Sequence, residues 1–323
     1  MPSNSSDASN APQQSNTAAN TALNNAANPR PAPLVANLIG SDNADTLSGD
    51  RNDNSYSAGA GNDLLLASSG NDNFSGGTGI DTLDYSGVNA NLTLSRGGVL
   101  SKSNNRGTDT ITGFDIEVIR ANPNQINTID GATGTTASLN VNLSTKTLTI
   151  NNLPGIGSAS LTVENFQNVN GSENADAITG SNGRNALNGG GGNDVLTGLR
   201  GADLLTGGGG IDTFVFNRAD SLLNGFDRIT DLEIGSDLID GLVTASSVSQ
   251  FGVVAALTGS DISQVLTAQG FGAGLAASFT LGSGSSSRTF LAINDNRNGF
   301  QAGSDNIVEI TGYSGQLSQL QVV

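Results

Sequence analysis

Residues 171–215 read GSENADAIT, GSNGRNALN, GGGGNDVLT, GLRGADLLT and GGGGIDTFV, five consecutive nonapeptides in one register. Position six is Asp176, Asn185, Asp194, Asp203 and Asp212, and position eight is Ile178, Leu187, Leu196, Leu205 and Phe214. The front of each nonamer is Gly- and Asn-rich, as turns requiring positive φ demand. The back sets one large apolar residue between two smaller ones, a three-residue strand with a single inward side chain. A strand that short is unstable alone. Stacked turns bury a continuous row of inward residues, so the pattern predicts an all-β coil whose repeats are stable only together.

Working outward, the same pattern fills residues 40–84 as GSDNADTLS, GDRNDNSYS, AGAGNDLLL, ASSGNDNFS and GGTGIDTLD. Here position six is Asp45, Asn54, Asp63, Asp72 and Asp81, and position eight is Leu47, Tyr56, Leu65, Phe74 and Leu83. Both tracts carry Asn in the second repeat.

The motif resembles the RTX calcium repeat GGxGxDxUx, where U is large and apolar. The resemblance implies a parallel β-roll with two nonamers per coil and turns on alternating edges. Residues 18 apart then lie above one another. One edge of the first tract holds Asp45, Asp63 and Asp81, the other Asn54 and Asp72; in the second tract the edges hold Asp176, Asp194 and Asp212, and Asn185 and Asp203. Coils stack about 4.8 Å apart, and two carboxylates at that spacing repel by on the order of 1 kcal/mol in water, more when partly buried. A cation between them relieves this. Asp oxygens plus carbonyls of the turn glycines Gly59, Gly61, Gly77, Gly79, Gly190, Gly192, Gly208 and Gly210 form a hard all-oxygen set, which suits several Ca²⁺ ions better than zinc or copper. Asn54 and Asn185 read either as positions that weaken one edge by a missing charge or as αL turn formers.

Composition narrows the function. The 323 residues include 44 Gly and only 4% aromatics, with 36% hydrophobic, which fits a thin solenoid core better than a compact one. The net charge of −16 disfavours nucleic acid and anionic membrane as partners and fits a cation binder. No apolar run is long enough for membrane insertion as a helix. With no Cys and no His, disulfides, thiolate nucleophiles, Ser-His-Asp triads and HExxH zinc sites are excluded. No GxSxG elbow is present either. The two lysines, Lys102 and Lys146, sit in no recognisable motif.

Five regions follow from the pattern. Residues 1–33 read as a disordered tail too poor in apolar residues to order itself, with a weak helix through Ala18 to Ala27 and no Sec-type signal. Residues 34–85 form the first roll block. Residues 86–170 alternate polar and apolar residues without the nonamer and predict irregular, wider solenoid coils. An echo at an offset of 49, Leu94–Ser95 with Leu143–Ser144 and Ile129–Gly131 with Ile178–Gly180, suggests two β excursions that return to the coil. ANPNQINTI there is a degenerate nonamer with Asn127 at position six. Glu117, Arg120 and Glu164 are surface residues or line a groove. Residues 171–216 form the second block.

Residues 217–323 predict a small, mainly β capping domain. Asp227, Ile229, Asp231, Leu232, Gly235, Asp237, Ile239 and Asp240 resemble the segment that closes RTX rolls. Helices are predicted over Ser247 to Leu257 and Asp261 to Ala268, the latter N-capped by Asp261. Strands follow at AASFTLG, RTFLAIND and NIVEITGY. FLAINDNRNGFQAGSDNIVEITGYSG resembles the "bluetail" domain of cyanobacterial surface proteins. Asn294, Asn296, Asn298, Gly299 and Asp305 have EF-hand spacing, but a β-hairpin loop is the first reading.

The expectation is therefore a secreted, non-enzymatic calcium-binding protein of the extracellular space or cell surface. The resemblance implies export by type I secretion machinery and folding on calcium outside the cell, with a surface, matrix or adhesive role through cell-surface polysaccharide or self-assembly. The alternative is a polysaccharide-binding or carbohydrate-active protein using residues 86–170 or 242–323.

Overall fold

The computed structural model describes residues 35–132, 137–241, 243–245, 248–310 and 312–323. The tail expected at 1–33 and the helix at Ala18 to Ala27 lie outside these. Among the described residues two long sheets, of 15 and 11 strands, face each other along the molecule. Successive nonamers alternate between them, so each coil contributes one short strand to each sheet.

Within the tracts the ladders are parallel and step by two repeats. Leu47 pairs with Leu65 and Leu65 with Leu83 in one sheet, and Tyr56 with Phe74 in the other. Ile178, Leu196 and Phe214 form one row of the second tract, and Leu187 and Leu205 the facing row. All these position-eight residues are buried. One inward side chain per strand makes a core two residues thick, which is why so few aromatics suffice; Tyr56 and Phe74 stack with ring centroids 4.4 Å apart.

Between the tracts the chain leaves the nonamer but not the sheets. Strands Leu92–Ser95, Val99–Lys102 and Gly107–Ile111 form an antiparallel meander in the larger sheet. Its last strand pairs with the first tract, Phe74 opposite Ile111. Its first strand pairs ahead with Thr128–Asp130. The chain thus runs forward and doubles back. Strands Ser138–Asn142, Thr147–Leu153 and Gly157–Glu164 repeat the manoeuvre in the smaller sheet, pairing ahead with Ala177–Thr179 and back with Val118–Arg120.

The larger sheet continues past the second tract. Strand Asp227–Ile229 pairs with Leu204–Gly209 on one side and Asn306–Glu309 on the other. Arg288–Ile293 and Ala276–Leu281 follow in antiparallel order. Phe279 and Phe290 of these strands join Ile262, Leu266 and Phe271, from the helix and the turn after it, in a second apolar cluster.

Two local expectations need correction. Residues 249–254 are a strand, Ser249–Val254, parallel to Ala276–Leu281, not part of a helix. The apolar spacing there is compatible with a helix, but Gly252 weakens one and an open sheet edge takes the segment instead. The helix spans Gly259–Val265, and its N-cap is Thr258, whose hydroxyl accepts the Asp261 N–H; Asp261 lies in the first turn, where a carboxylate favours the helix dipole.

Candidate metal centres along the turn columns

The position-six residues form two columns, one along each edge of the roll, and each column is a hydrogen-bond ladder. The Asp45 N–H donates to Asp63 Oδ1 at 2.7 Å and the Asp63 N–H to Asp81 Oδ1 at 2.8 Å. Asp176 donates to Asp194 at 2.8 Å, Asp194 to Asp212 at 2.9 Å and Asp212 to Asp237 at 3.1 Å. On the other edge Asn54 donates to Asp72 and Asp72 to Asp109, both at 2.9 Å. Asn185 donates to Asp203 at 2.7 Å and Asp203 to Asp227 at 2.9 Å. Stacked carboxylates therefore do not simply face each other. An amide of the neighbouring coil holds one oxygen of each.

At the second oxygen two kinds of turn stand out among the ten of the tracts, three satisfied by a serine N–H and four with no donor. In three of the four tract turns with Ser at position two, its N–H satisfies residue six: the Ser41 N–H donates to Asp45 Oδ2 at 2.6 Å, Ser172 to Asp176 Oδ2 at 2.5 Å and Ser181 to Asn185 Oδ1 at 2.7 Å, whereas Ser68 reaches Asp72 Oδ2 with its hydroxyl at 3.1 Å. Where position two is Gly59, Gly77, Gly190 or Leu199, its φ is positive, between 66° and 107°, and that N–H makes no such bond. Among the described residues, Asp63, Asp81, Asp194 and Asp203 are the corresponding residues six, and the Oδ2 of each is buried without a hydrogen-bond donor from the chain. Asp227 Oδ2 shares this state. A buried carboxylate oxygen lacking a donor is costly. Burial accordingly pushes Asp194 and Asp203 up to about 7 and Asp227 up to about 8, with the charges of neighbouring carboxylates adding to the rise. Asp81 and Asp212 are raised for the same first reason.

Glycine shapes the space around these oxygens. A Cβ on Gly189 would collide with Asp194 Oδ2 and lie 2.5 Å from Gly207 O. On Gly76 it would meet Asp81 Oδ2 and Asp115 O. The position-one glycines thus border a small cradle of carboxylate and carbonyl oxygens, a role the sequence reading does not give them. The glycines it did name, at positions two and four, serve close stacking: a Cβ on Gly77, Gly79, Gly208 or Gly210 would strike the carbonyl of the equivalent glycine one coil earlier, Gly59, Gly61, Gly190 and Gly192 respectively. Among the described residues no three acidic side chains gather at one point, so any cation here is held by one or two carboxylates together with backbone carbonyls. Those are hard oxygen donors of the kind calcium takes, and the donor-free buried Oδ2 atoms fit such an ion.

The two Asn residues at position six are not αL turn formers, for neither has positive φ. Their amides act as donors instead. Asn54 Nδ2 donates to Asp50 O, Asn52 O and Asp72 Oδ1, and Asn185 Nδ2 to Gln167 O at 2.7 Å.

Several column members escaped the sequence reading. Asp109 lies in Gly107-Thr-Asp-Thr-Ile111, which keeps the G-x-D-x-U core of the nonamer without its leading glycines. Glu117 accepts the Asp81 N–H at 2.7 Å, and Gln167 accepts that of Asn127 at 2.7 Å. Glu117 therefore belongs to a column rather than a groove, whereas Arg120 pairs with Asp84 at 3.0 Å and Glu164 at 2.6 Å. Asp231 caps the last tract turn by accepting the Gly207 and Gly208 N–H groups at 3.0 and 2.8 Å. The loop at 294–305 is a hairpin staple: Asp305 accepts N–H bonds from Asp295 and Gln301 at 2.9 and 2.7 Å, and Asn294 Nδ2 donates to Phe271 O and Gly272 O.

Residues 37–65, 48–83 and 170–214 match the family model described as RTX calcium-binding nonapeptide repeat (4 copies). No curated protein matches the chain. Among solved structures, the extracellular lipase LipA from Serratia marcescens aligns at 14% identity with a TM-score of 0.24, covering 89% of this chain and 40% of the lipase; likeness at that level carries no argument about activity. No helix among the described residues is long and apolar enough to cross a membrane. Over residues 37–83 and 170–214 the chain thus carries RTX calcium-binding repeats, folded as a parallel β-roll.

Proposed function

We propose that this is a secreted, non-enzymatic protein whose roll folds on calcium outside the cell and then serves as a stiff acidic element of a surface or matrix. The observation that carries the reading is the set of buried, donor-free Oδ2 atoms on Asp63, Asp81, Asp194 and Asp203. Those oxygens, Asp212 and the adjoining turn carbonyls would hold the ions. Asp45 and Asp176, satisfied by serine, and the amide-donating Asn54 and Asn185 would contribute less. When bound, calcium supplies the positive charge that the turns lack. The chain's own residues supply the rest: glycine stacking sets the coil spacing, the amide ladder aims each carboxylate, and the apolar rows close the interior.

Support for export comes from the calcium logic itself. Extracellular modules bind calcium at about 10⁻⁴ to 10⁻³ M, and binding free energy at a site absent from the unfolded chain is folding free energy. The C-terminal resemblance to bluetail domains and a type I secretion route belong to the same proposal. Circular dichroism tests its core: in EGTA the β signal should be weak, and millimolar calcium should restore it cooperatively. A spectrum unchanged by calcium would remove the basis of the proposal.

A further inference from the structure

One column step differs from all the others, and the difference is a lysine. Lys102 ends the middle strand of the first meander. That strand runs antiparallel to its neighbours, so it delivers a side chain to the column from the opposite direction. The Lys102 side chain is fully buried. Its ammonium donates to Asp109 Oδ1 at 2.5 Å and to Ser68 O at 2.9 Å, and lies 3.6 Å from Asp72 Oδ2. Ser68 holds position two in the turn that carries Asp72. The ammonium therefore binds two column carboxylates and a turn carbonyl, the oxygen types that elsewhere in the roll border the donor-free Oδ2 atoms.

The remaining oxygens here are also supplied. Tyr85 Oη donates to Asp109 Oδ2 at 2.7 Å, and Ser68 Oγ to Asp72 Oδ2 at 3.1 Å. The matching step of the second tract, Asp203 over Asp227, has no such lysine, and both of its Oδ2 atoms lack a donor. A buried ammonium is tolerated only where it is paired and hydrogen-bonded, so Lys102 is held as firmly by the column as it holds the column.

We infer that Lys102 is a tethered cation that closes the Asn54–Asp72–Asp109 column, so that the Asp72–Asp109 step is neutralised by the chain itself and takes no calcium. The inference rests on the calcium reading above. It makes Lys102 a residue that decides which edge of the first tract responds to the ion.

The test measures bound calcium per chain by equilibrium dialysis of the full-length protein in millimolar calcium. The variants are Lys102→Met, Asp72→Asn and Asp194→Asn, with circular dichroism confirming the β signal of each. Lys102→Met keeps the apolar stem and removes the charge, and is expected to bind about one more ion than the wild type, because two carboxylates and a carbonyl then lack their cation. Asp72→Asn is expected to leave the calcium content unchanged, while Asp194→Asn lowers it. Should Lys102→Met fail to fold, the contrast between Asp72→Asn and Asp194→Asn still decides. Equal losses in those two variants, or a folded Lys102→Met with wild-type calcium content, would overturn the lysine inference alone. A wild type that binds no calcium would overturn the calcium reading and this inference with it.

Discussion

Asp194 shows what a single residue must do in this architecture. Its Oδ1 accepts the Asp176 N–H, its own N–H donates to Asp212, and its Oδ2 is buried with no donor from the chain. Asp50, by contrast, is exposed and only caps its own loop, accepting the Asn52 N–H at 2.8 Å. Asp194→Ala should therefore raise the calcium midpoint of folding by about tenfold or more, the scale on which even outer partners of a metal site act. Asp50→Ala should stay within about 0.5 kcal/mol of wild type. Equal midpoints in a calcium titration would contradict the column assignment. The raised Asp194, Asp203 and Asp227 also fix the sign of a pH effect. A group whose folded pKa lies above its unfolded value stabilises fully below the unfolded value and stops doing so as pH rises through the folded one. In EGTA, then, the weak β signal should strengthen as pH falls from about 8 towards 4, the window set by the values of about 7 to 8 against the ordinary 3.8. In calcium, protons compete for the same oxygens, so the calcium midpoint should rise over the same descent. A β signal in EGTA that stays the same across that pH range would count against the burial of these carboxylates.

At the level of the element, the unit is a turn plus a three-residue strand, and glycine discriminates its positions. Gly208 has a φ of 99°, and a Cβ there would strike Gly190 O; Gly209 has open space on its Cβ side and no positive φ. Gly208→Ala should cost more than about 1 kcal/mol, while Gly209→Ala should be neutral or slightly stabilising. Chemical denaturation in calcium separates them, and similar midpoints would mean that coil stacking does not set the glycine pattern. The nonamer was legible because strand pairing there steps by a constant 18 residues, so sequence period and spatial neighbour coincide. Legibility failed where that link breaks. In the meanders the chain runs ahead and returns, and the Asp72–Asp109 and Asp81–Glu117 contacts span 37 and 36 residues. Glu117 and Gln167 are further hidden by chemistry, since a longer side chain does the work of Asp. The role of serine at position two was invisible for a different reason: it depends on which way one N–H points, and the backbone alone decides that.

For the whole molecule, two facing sheets run unbroken through regions of very different sequence. The smaller sheet joins the first tract to the second through Ser138–Asn142, Thr147–Leu153 and Gly157–Glu164, the larger through Leu92–Ser95, Val99–Lys102 and Gly107–Ile111. Calcium withdrawn from the tracts should therefore be felt in the meanders that bridge them. As calcium is withdrawn stepwise, hydrogen exchange should rise across residues 40–84 and 171–215 first. The C-terminal strands, which bury their own apolar cluster, should lose protection last. Uniform loss of protection along the chain would show instead that the molecule unfolds as one cooperative unit.

The alternation of repeats between the two sheets also makes length come in quanta. Excising residues 189–206 removes one strand from each face and brings Asp176 over Asp212, leaving a shorter rod with every downstream side chain on its original side. Excising residues 198–206 alone transposes all that follows to the opposite face, setting the C-terminal strands against the wrong partners. The first deletion should be expressed and respond to calcium like its parent, and the second should aggregate. A protein built this way can grow or shrink by whole coils without redesign, a ruler whose smallest graduation is two repeats.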